Sequence, residues 1–218
     1  MSISLPESLA DAWRPAGTRT ATTNVFVASI TAETTLYEPI ETATALEELG
    51  ASDVPLRSLF AVDLTFSPPL SAIGVSPADV LSMAAPKAKA RFVATLENEG
   101  LIVEGTRDRH SFEADNGAEG RWFVLDVSYP LASAVAPADG ENATNGGDDE
   151  GDRLPAETHV AVWPTESAFG MAGGTIPLEC PAEIRESVGD ELAVDPQRDR
   201  ERIAELVRSV GTEPRTPG

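Results

Sequence analysis

Few side chains in this sequence are suited to nucleophilic or metal chemistry. Cys180 is its only cysteine, and His110 and His159 are its only histidines. A thiolate beside an imidazole is a usable nucleophile, so Cys180 with His110 or His159 is a candidate dyad for a hydrolase or transferase. The competing reading is structural. A lone cysteine behaves as a small buried hydrophobe, and each histidine sits in an alternating stretch where a half-buried strand residue is expected. Spacing alone does not show whether the three residues meet. One cysteine excludes an internal disulfide and a cysteine-based metal cluster, and two histidines cannot make a three-histidine site. A histidine–carboxylate site stays open, but no metal or cofactor is assigned.

A second candidate is Gly170-Met171-Ala172-Gly173-Gly174-Thr175. It invites a phosphate-loop reading, yet lacks the lysine that follows the last glycine of such loops and has no strand-to-helix context. A mobile loop is the expectation. Its neighbours Trp163, Phe169 and Met171 could form an apolar wall for a ligand or partner, or be core. Trp122 lies opposite Phe123, Leu125 and Val127 in an alternating stretch. It is core if a helix covers that face and an exposed interface anchor if none does.

Charge bounds the partners. Asp and Glu number 36 against 16 Lys and Arg, a formal charge of −20, and only Lys87 and Lys89 are lysines. Residues 139–152 hold six acids and no base, so 30 acids against 16 bases, or −14, remain outside that segment. No run of Lys or Arg supplies a nucleic-acid footprint, and the group Arg198, Arg200, Arg202 alternates with Asp199 and Glu201, as a solvated helix face would. At molar salt the Debye length falls to about 3 Å, so such a body can fold without repelling itself. Most carboxylates are then expected to be solvation groups. No stretch reaches the ~20 apolar residues of a membrane span, and the N-terminus lacks the basic start and apolar core of a secretory signal. A cytoplasmic protein is expected, monomeric or homodimeric, without nucleic-acid or membrane partners and with room for a protein partner.

The elements that must position these residues follow in order. A short helix from Ser4 or Pro6 through Leu9 and Trp13 ends at Arg14–Gly17. Thr18 to Leu36 reads as a first strand with an irregularity near Ser29, and Glu38-Pro39 opens a helix carrying Ala43, Leu46 and Leu49 up to Gly50. Phe60, Val62, Leu64 and Phe66 alternate in a strand from Arg57 to Ser67. Ser76-Pro77-Ala78-Asp79 starts a helix that Pro86 should kink or divide, and Ala88, Phe92 and Leu96 continue its apolar face up to Gly100. Leu101–Glu104 and Arg109–Ala114 read as separate short strands, and Arg121–Leu131 as a third, with the reversal before it at Asp115-Asn116-Gly117. Thr158–Pro164 is another strand. Asp195-Pro196 caps a last helix whose stripe is Ile203, Leu206, Val207 and Val210 before Gly211.

These elements form one α+β domain, residues 18–131 and 158–211, with an N-terminal helix or tail at 1–17. Residues 132–157 are a disordered acidic insertion, because so polar a segment cannot bury enough surface to offset its ordering entropy, and 212–218 a disordered tail. Strands adjacent in sequence favour an antiparallel sheet of about five to seven strands with helices packed on its faces.

The order LFAVDLTFSPPL, SPADVL, EGTRDRHSFEAD with RWFVLDVSYPL, an acidic insertion, VAVWP and ERIAELVRSV resembles uncharacterised conserved proteins of halophilic archaea from Arg57 onward. The same order is similar to the Mog1/PsbP α/β/α sandwich. That resemblance implies a binding or assembly protein, since that family has no shared catalytic set to carry over. Two functional expectations therefore stand: a non-enzymatic binding or assembly module, and an enzyme using Cys180 with His110 or His159.

Overall fold

The computed structural model describes residues 5–25, 28–41, 54–130, 153–179 and 194–209. Its centre is a seven-stranded antiparallel sheet in the order β1-β2-β3-β7-β6-β5-β4. The strands are β1 (Trp13–Val25), β2 (Ala28–Pro39), β3 (Ser58–Ser67), β4 (Ile102–Glu113), β5 (Glu119–Pro130), β6 (Arg153–Pro164) and β7 (Phe169–Pro177). Among the described residues three helices accompany them: α1 (Glu7–Ala10), α2 (Pro77–Asn98) and α3 (Pro196–Ser209). A 3-10 turn, Leu70–Ile73, precedes α2.

Two apolar layers sandwich the sheet, and strand alternation decides which side chain enters which. Phe60 and Val62 of β3, Phe123, Leu125 and Val127 of β5, and Val160 and Val162 of β6 pack with Leu81, Ala85 and Leu96 of α2. The opposite set, Leu59, Ala61, Trp122, Val124, Ala161 and Trp163, packs with Ile203, Leu206 and Val207 of α3 and Leu9 of α1. Phe60 stacks on Phe92 of α2 at 4.6 Å between centroids, a pair worth about 1 kcal/mol beyond its buried area. Ile203, Leu206 and Val207 are wholly buried, each contributing about 2 kcal/mol through lost apolar exposure.

The sheet, α2, the turn at Asp115–Gly117 and the capped final helix agree with the sequence reading. Gly117 takes a positive φ of 81°, and Asp195 Oδ1 accepts the Arg198 N–H at 3.1 Å. Pro86 lies inside one 22-residue helix instead of dividing it.

Several expectations are corrected. Trp13 opens β1 and is buried under α3, and residues 14–17 belong to that strand, with a register shift between Pro15 and Gly17. The single strand expected over 18–36 is a hairpin, Val25 pairing with Ala28 where an irregularity near Ser29 was read. Threonines and alternating small residues suit either reading; only pairing distinguishes them. Glu38 and Pro39 are strand residues opposite Arg14 and Trp13, and the helix expected from Ala43 to Gly50 lies outside the described residues. The stretches read at Leu101–Glu104 and Arg109–Ala114 fall within or beside one strand, β4 (Ile102–Glu113), in which register shifts at Val103/Gly105 and Thr106/Asp108 absorb two extra residues. The boundary read at Thr158 moves back: Arg153–Glu157 pair with Asp126–Pro130 in β6, so the expected insertion at 132–157 is too long at its end. Its remainder, 132–152, lies outside the described residues, as do Val210, Gly211 and the 212–218 tail.

The largest correction is β7. Where three glycines suggested a mobile loop, Phe169–Pro177 is a wholly buried strand between β3 and β6. Gly170 faces Trp163 across the ladder, and a Cβ there would lie 2.5 Å from the indole ring. A Cβ on Gly174 would come within 2.5 Å of the Ser58 carbonyl oxygen and 2.9 Å of Ile203 Cγ1. The glycines admit a tryptophan and a helix, and are not there to bend the chain.

Candidate functional site

The sequence candidates fall in different places. Trp122 and Trp163 are buried beneath α3, whereas Phe169 and Met171 are buried beneath α2. They form no common wall, because adjacent alternating strands send them to opposite faces, and in this chain all four are core. Cys180 lies outside the described residues. The two histidines, by contrast, are brought to one tryptophan. His110 stacks on Trp122 at 5.5 Å and 24°, with Asp108 Oδ2 3.6 Å from its Nδ1. His159 meets the same indole edge-on at 88°, and Trp122 Nε1–H donates to His159 Nδ1 at 3.1 Å.

That hydrogen bond fixes the imidazole. An indole N–H only donates, so Nδ1 must accept, and the ring proton resides on Nε2, which lies 2.8 Å from Glu157 Oε1. Both ring nitrogens are thereby occupied. Glu157 in turn receives Arg107 Nη1 and Arg200 Nη2, each at 2.9 Å from Oε2, and Arg200 Nε at Oε1. Arg107 occupies the β4 register shift and also pairs with Asp126, the residue opposite Glu157. Burial would raise the Glu157 carboxyl, but hydrogen bonds from His159 and Arg200, with the charge of Arg200, bring it down to about 2.

A second ion pair lies under the same helix. Arg57 Nε sits 2.8 Å from Asp199 Oδ2, both side chains being almost fully buried, and Arg202 approaches the other oxygen at 3.4 Å. Burial raises the Asp199 carboxyl and lowers the Arg57 guanidinium, each opposed by the partner's charge. The stretch Arg198–Arg202 is only in part the solvated face that its alternating signs suggest: Arg198, Arg200 and Glu201 are exposed, but Asp199 is buried against Arg57 and Arg200 reaches across to Glu157.

Glu157, Asp199 and Arg57 were not singled out in the sequence, although signals for two exist. With Val160 and Val162 facing α2, period-two alternation sends Glu157 and His159 inward on the other face beside Trp163. On α3, Asp199 precedes Ile203 by four residues and Leu206 by seven, which places it on the apolar stripe. An acid at either position requires a buried cationic partner.

The α2 face carries a different feature, an open cleft of about 340 Å³ between α2 and the β4–β5 ladder. Ser82 and Pro86 line its helix side and Arg109, Ser111, Arg121 and Phe123 its strand side, with His110 and Trp122 between them in sequence. Arg121 Nη1 donates to Ser111 Oγ, its partner across the ladder. Among the described residues neither Arg109 nor Arg121 forms an ion pair, and no carboxylate lines the cleft. Among those residues there is also no group of His, Cys, Asp and Glu placed to hold a metal, and no helix long and apolar enough to cross a membrane.

No curated protein and no solved structure matches the chain. Residues 5–211 match a family described as a domain of unknown function, DUF6517, so the two-faced sheet, its buried ion pairs and its cation-lined cleft describe a member of that family.

Proposed function

We propose that this protein is a non-enzymatic binding or assembly module that holds its ligand in the cleft between α2 and β4–β5. The observation that carries the reading is a contrast between the two faces. Under α3 the groups suited to chemistry are consumed by one another: His159 has neither nitrogen free, and Glu157 is saturated by His159, Arg107 and Arg200. Under α2 an open cleft presents Arg109 and Arg121, which form no ion pair among the described residues. Such a site holds a ligand by its charge, with the imidazole of His110 at its edge stacked on Trp122. The rival, an enzyme using Cys180 with His110 or His159, would have to employ His110, since a His159 base would first have to give up Trp122 or Glu157.

The acidic body, poor in lysine, supports a salt-loving archaeal source and a cytoplasmic setting, with a protein as the partner class if the module assembles. The sheet with α2 on one face and α3 on the other supports a Mog1/PsbP-like sandwich. The function is tested by a thermal-shift screen of the full chain in concentrated KCl against anionic, neutral and cationic small molecules, followed by recovery of whatever binds. The reading expects at least one class to raise the Tm at 1:1 stoichiometry and to be recovered intact. Conversion of the bound compound, abolished by Cys180→Ala, would establish the enzyme instead, and stabilisation by no class would remove the cleft as the binding site.

A further inference from the structure

Resting on that reading, we infer that the cleft selects an organic anion with an apolar body: a phosphate or carboxylate head held by Arg109 and Arg121 over the ring of Phe123.

Two arginines line this cleft on a strongly acidic protein. Acids outnumber bases 36 to 16, so a cation on this surface has many carboxylates to pair with. Arg14, Arg19, Arg57, Arg107, Arg200 and Arg202 do so. Among the described residues Arg109 and Arg121 form no ion pair, as Arg91, Arg153, Arg198 and Arg208 also do not, and what sets them apart is placement: they are diagonal neighbours on the same face of the β4–β5 ladder, Arg109 opposite Phe123 and Arg121 opposite Ser111. Like charges placed so close on one face repel unless an anion lies between them. Lys89, one of only two lysines, is drawn to the same place, its Nζ 3.1 Å from Thr106 Oγ1 and 5.9 Å from the centroid of Phe123. Two arginines thus line the cleft and Lys89 stands beside it, and no acid among the described residues lines it.

The chemistry of the lining sets the ligand. Guanidinium groups present planar forks that match the oxygens of a phosphate or carboxylate, and the hydroxyls of Ser82 and Ser111 add neutral donors. The remaining wall is apolar, from Phe123 and Pro86, so a bare inorganic ion would leave it unused. A volume of about 340 Å³ accommodates an aromatic or short aliphatic body attached to the charged head. The overall charge of −20 works against any anion at a distance, so selectivity must come from these short contacts and not from steering.

The test is calorimetric titration of the full chain, at a KCl concentration where circular dichroism shows it folded, with phenyl phosphate, phenylacetate, inorganic phosphate and benzylammonium. Phenyl phosphate or phenylacetate should bind 1:1 and about tenfold or more tightly than inorganic phosphate, through burial of the ring. The tighter of the two identifies the head group. Arg109→Gln and Arg121→Gln should each weaken that binding about fivefold or more, and Arg153→Gln, on the far end of β6, should leave it unchanged. Both arginines are exposed, so the variants should fold; Lys89→Gln provides a third, independent variant. Benzylammonium binding as tightly as the anions would overturn the ligand class while leaving a binding module standing. Anion binding indifferent to both arginine substitutions, or no anion binding at all, would overturn the inference itself.

Discussion

Asp199 of α3 and Arg57 at the foot of β3 form an ion pair, 2.8 Å apart, with almost no contact with solvent. The next residue of the helix holds the opposite arrangement, Arg200 reaching Glu157 of β6. Neighbouring residues of α3 are thus bound to the sheet by pairs of reversed sign, which fixes the helix in register as well as in place. A helix slipped by one residue would set Arg against Arg57 and an acid against Glu157.

The Arg57–Asp199 pair should be costly to break and cheap to replace. Asp199→Ala leaves a buried guanidinium with only partial compensation and is expected to lose about 3–5 kcal/mol, measured by denaturant unfolding at fixed KCl. Arg57→Met combined with Asp199→Leu should recover most of that loss, because neither charge then has to leave water. A double variant as unstable as the single one would show that the pair contributes net stability, not only register.

Glu157 predicts a pH dependence of definite sign. Its carboxyl lies below the ordinary value, at about 2 against 4.5, so the folded state binds this proton less readily than the unfolded chain. The stabilisation is complete above about pH 4.5 and is lost as pH falls towards about 2. It amounts to about 3 kcal/mol by linkage. Asp199, raised by burial, shifts in the other sense. It is common to wild type and Glu157→Gln, so the difference between their stabilities isolates Glu157. That difference should be constant from pH 5 to 7 and shrink below pH 4.5. A difference that stays constant down to pH 2.5 would mean the carboxylate is not held by His159 and Arg200 in solution.

Glycine substitutions separate packing from loop freedom along β7. Gly174→Ala sets a methyl group against the Ser58 carbonyl and Ile203 of α3, and should cost about 1–3 kcal/mol. Gly105→Ala, with open space around it in the edge strand, should change stability by less than about 0.5 kcal/mol. Equal, small effects at both positions would restore the mobile loop that the glycines first suggested.

These residues also show what the sequence made legible. Period-two alternation in β3 and β5 and the stripe of α3 were readable because each element buries one kind of residue on a known face. β7 was not, because its glycines answer to Trp163 and Ile203, residues near it only after folding. The same holds for Glu157: alternation points it inward, but Arg107 and Arg200, which make that tolerable, come from β4 and α3. The cleft was hidden for a similar reason. Arg109 and Arg121 are twelve positions apart in the chain, and only the hairpin makes them neighbours.

Charge outside these pairs leads to the last prediction. Without residues 139–152 the chain still carries 30 acids against 16 bases, and several of those bases are committed to internal pairs, Arg57 and Arg200 among them. Solvent cations must therefore offset most of the remaining carboxylates. Stability should rise steeply between dilute buffer and about 1 M KCl, where the Debye length shortens from tens of ångströms to about 3 Å. It should rise more slowly beyond, since chloride salts strengthen apolar burial only weakly. The Arg57–Asp199 pair is shielded from solvent ions and should not lose strength over the same range, whereas the exposed Arg14–Glu38 pair should. Circular dichroism melts against KCl measure the overall effect, and repeating them with Glu38→Gln and Asp199→Asn separates the two pairs. A Tm independent of KCl would show that repulsion among the carboxylates does not govern stability, and would withdraw the charge argument for a salt-rich habitat.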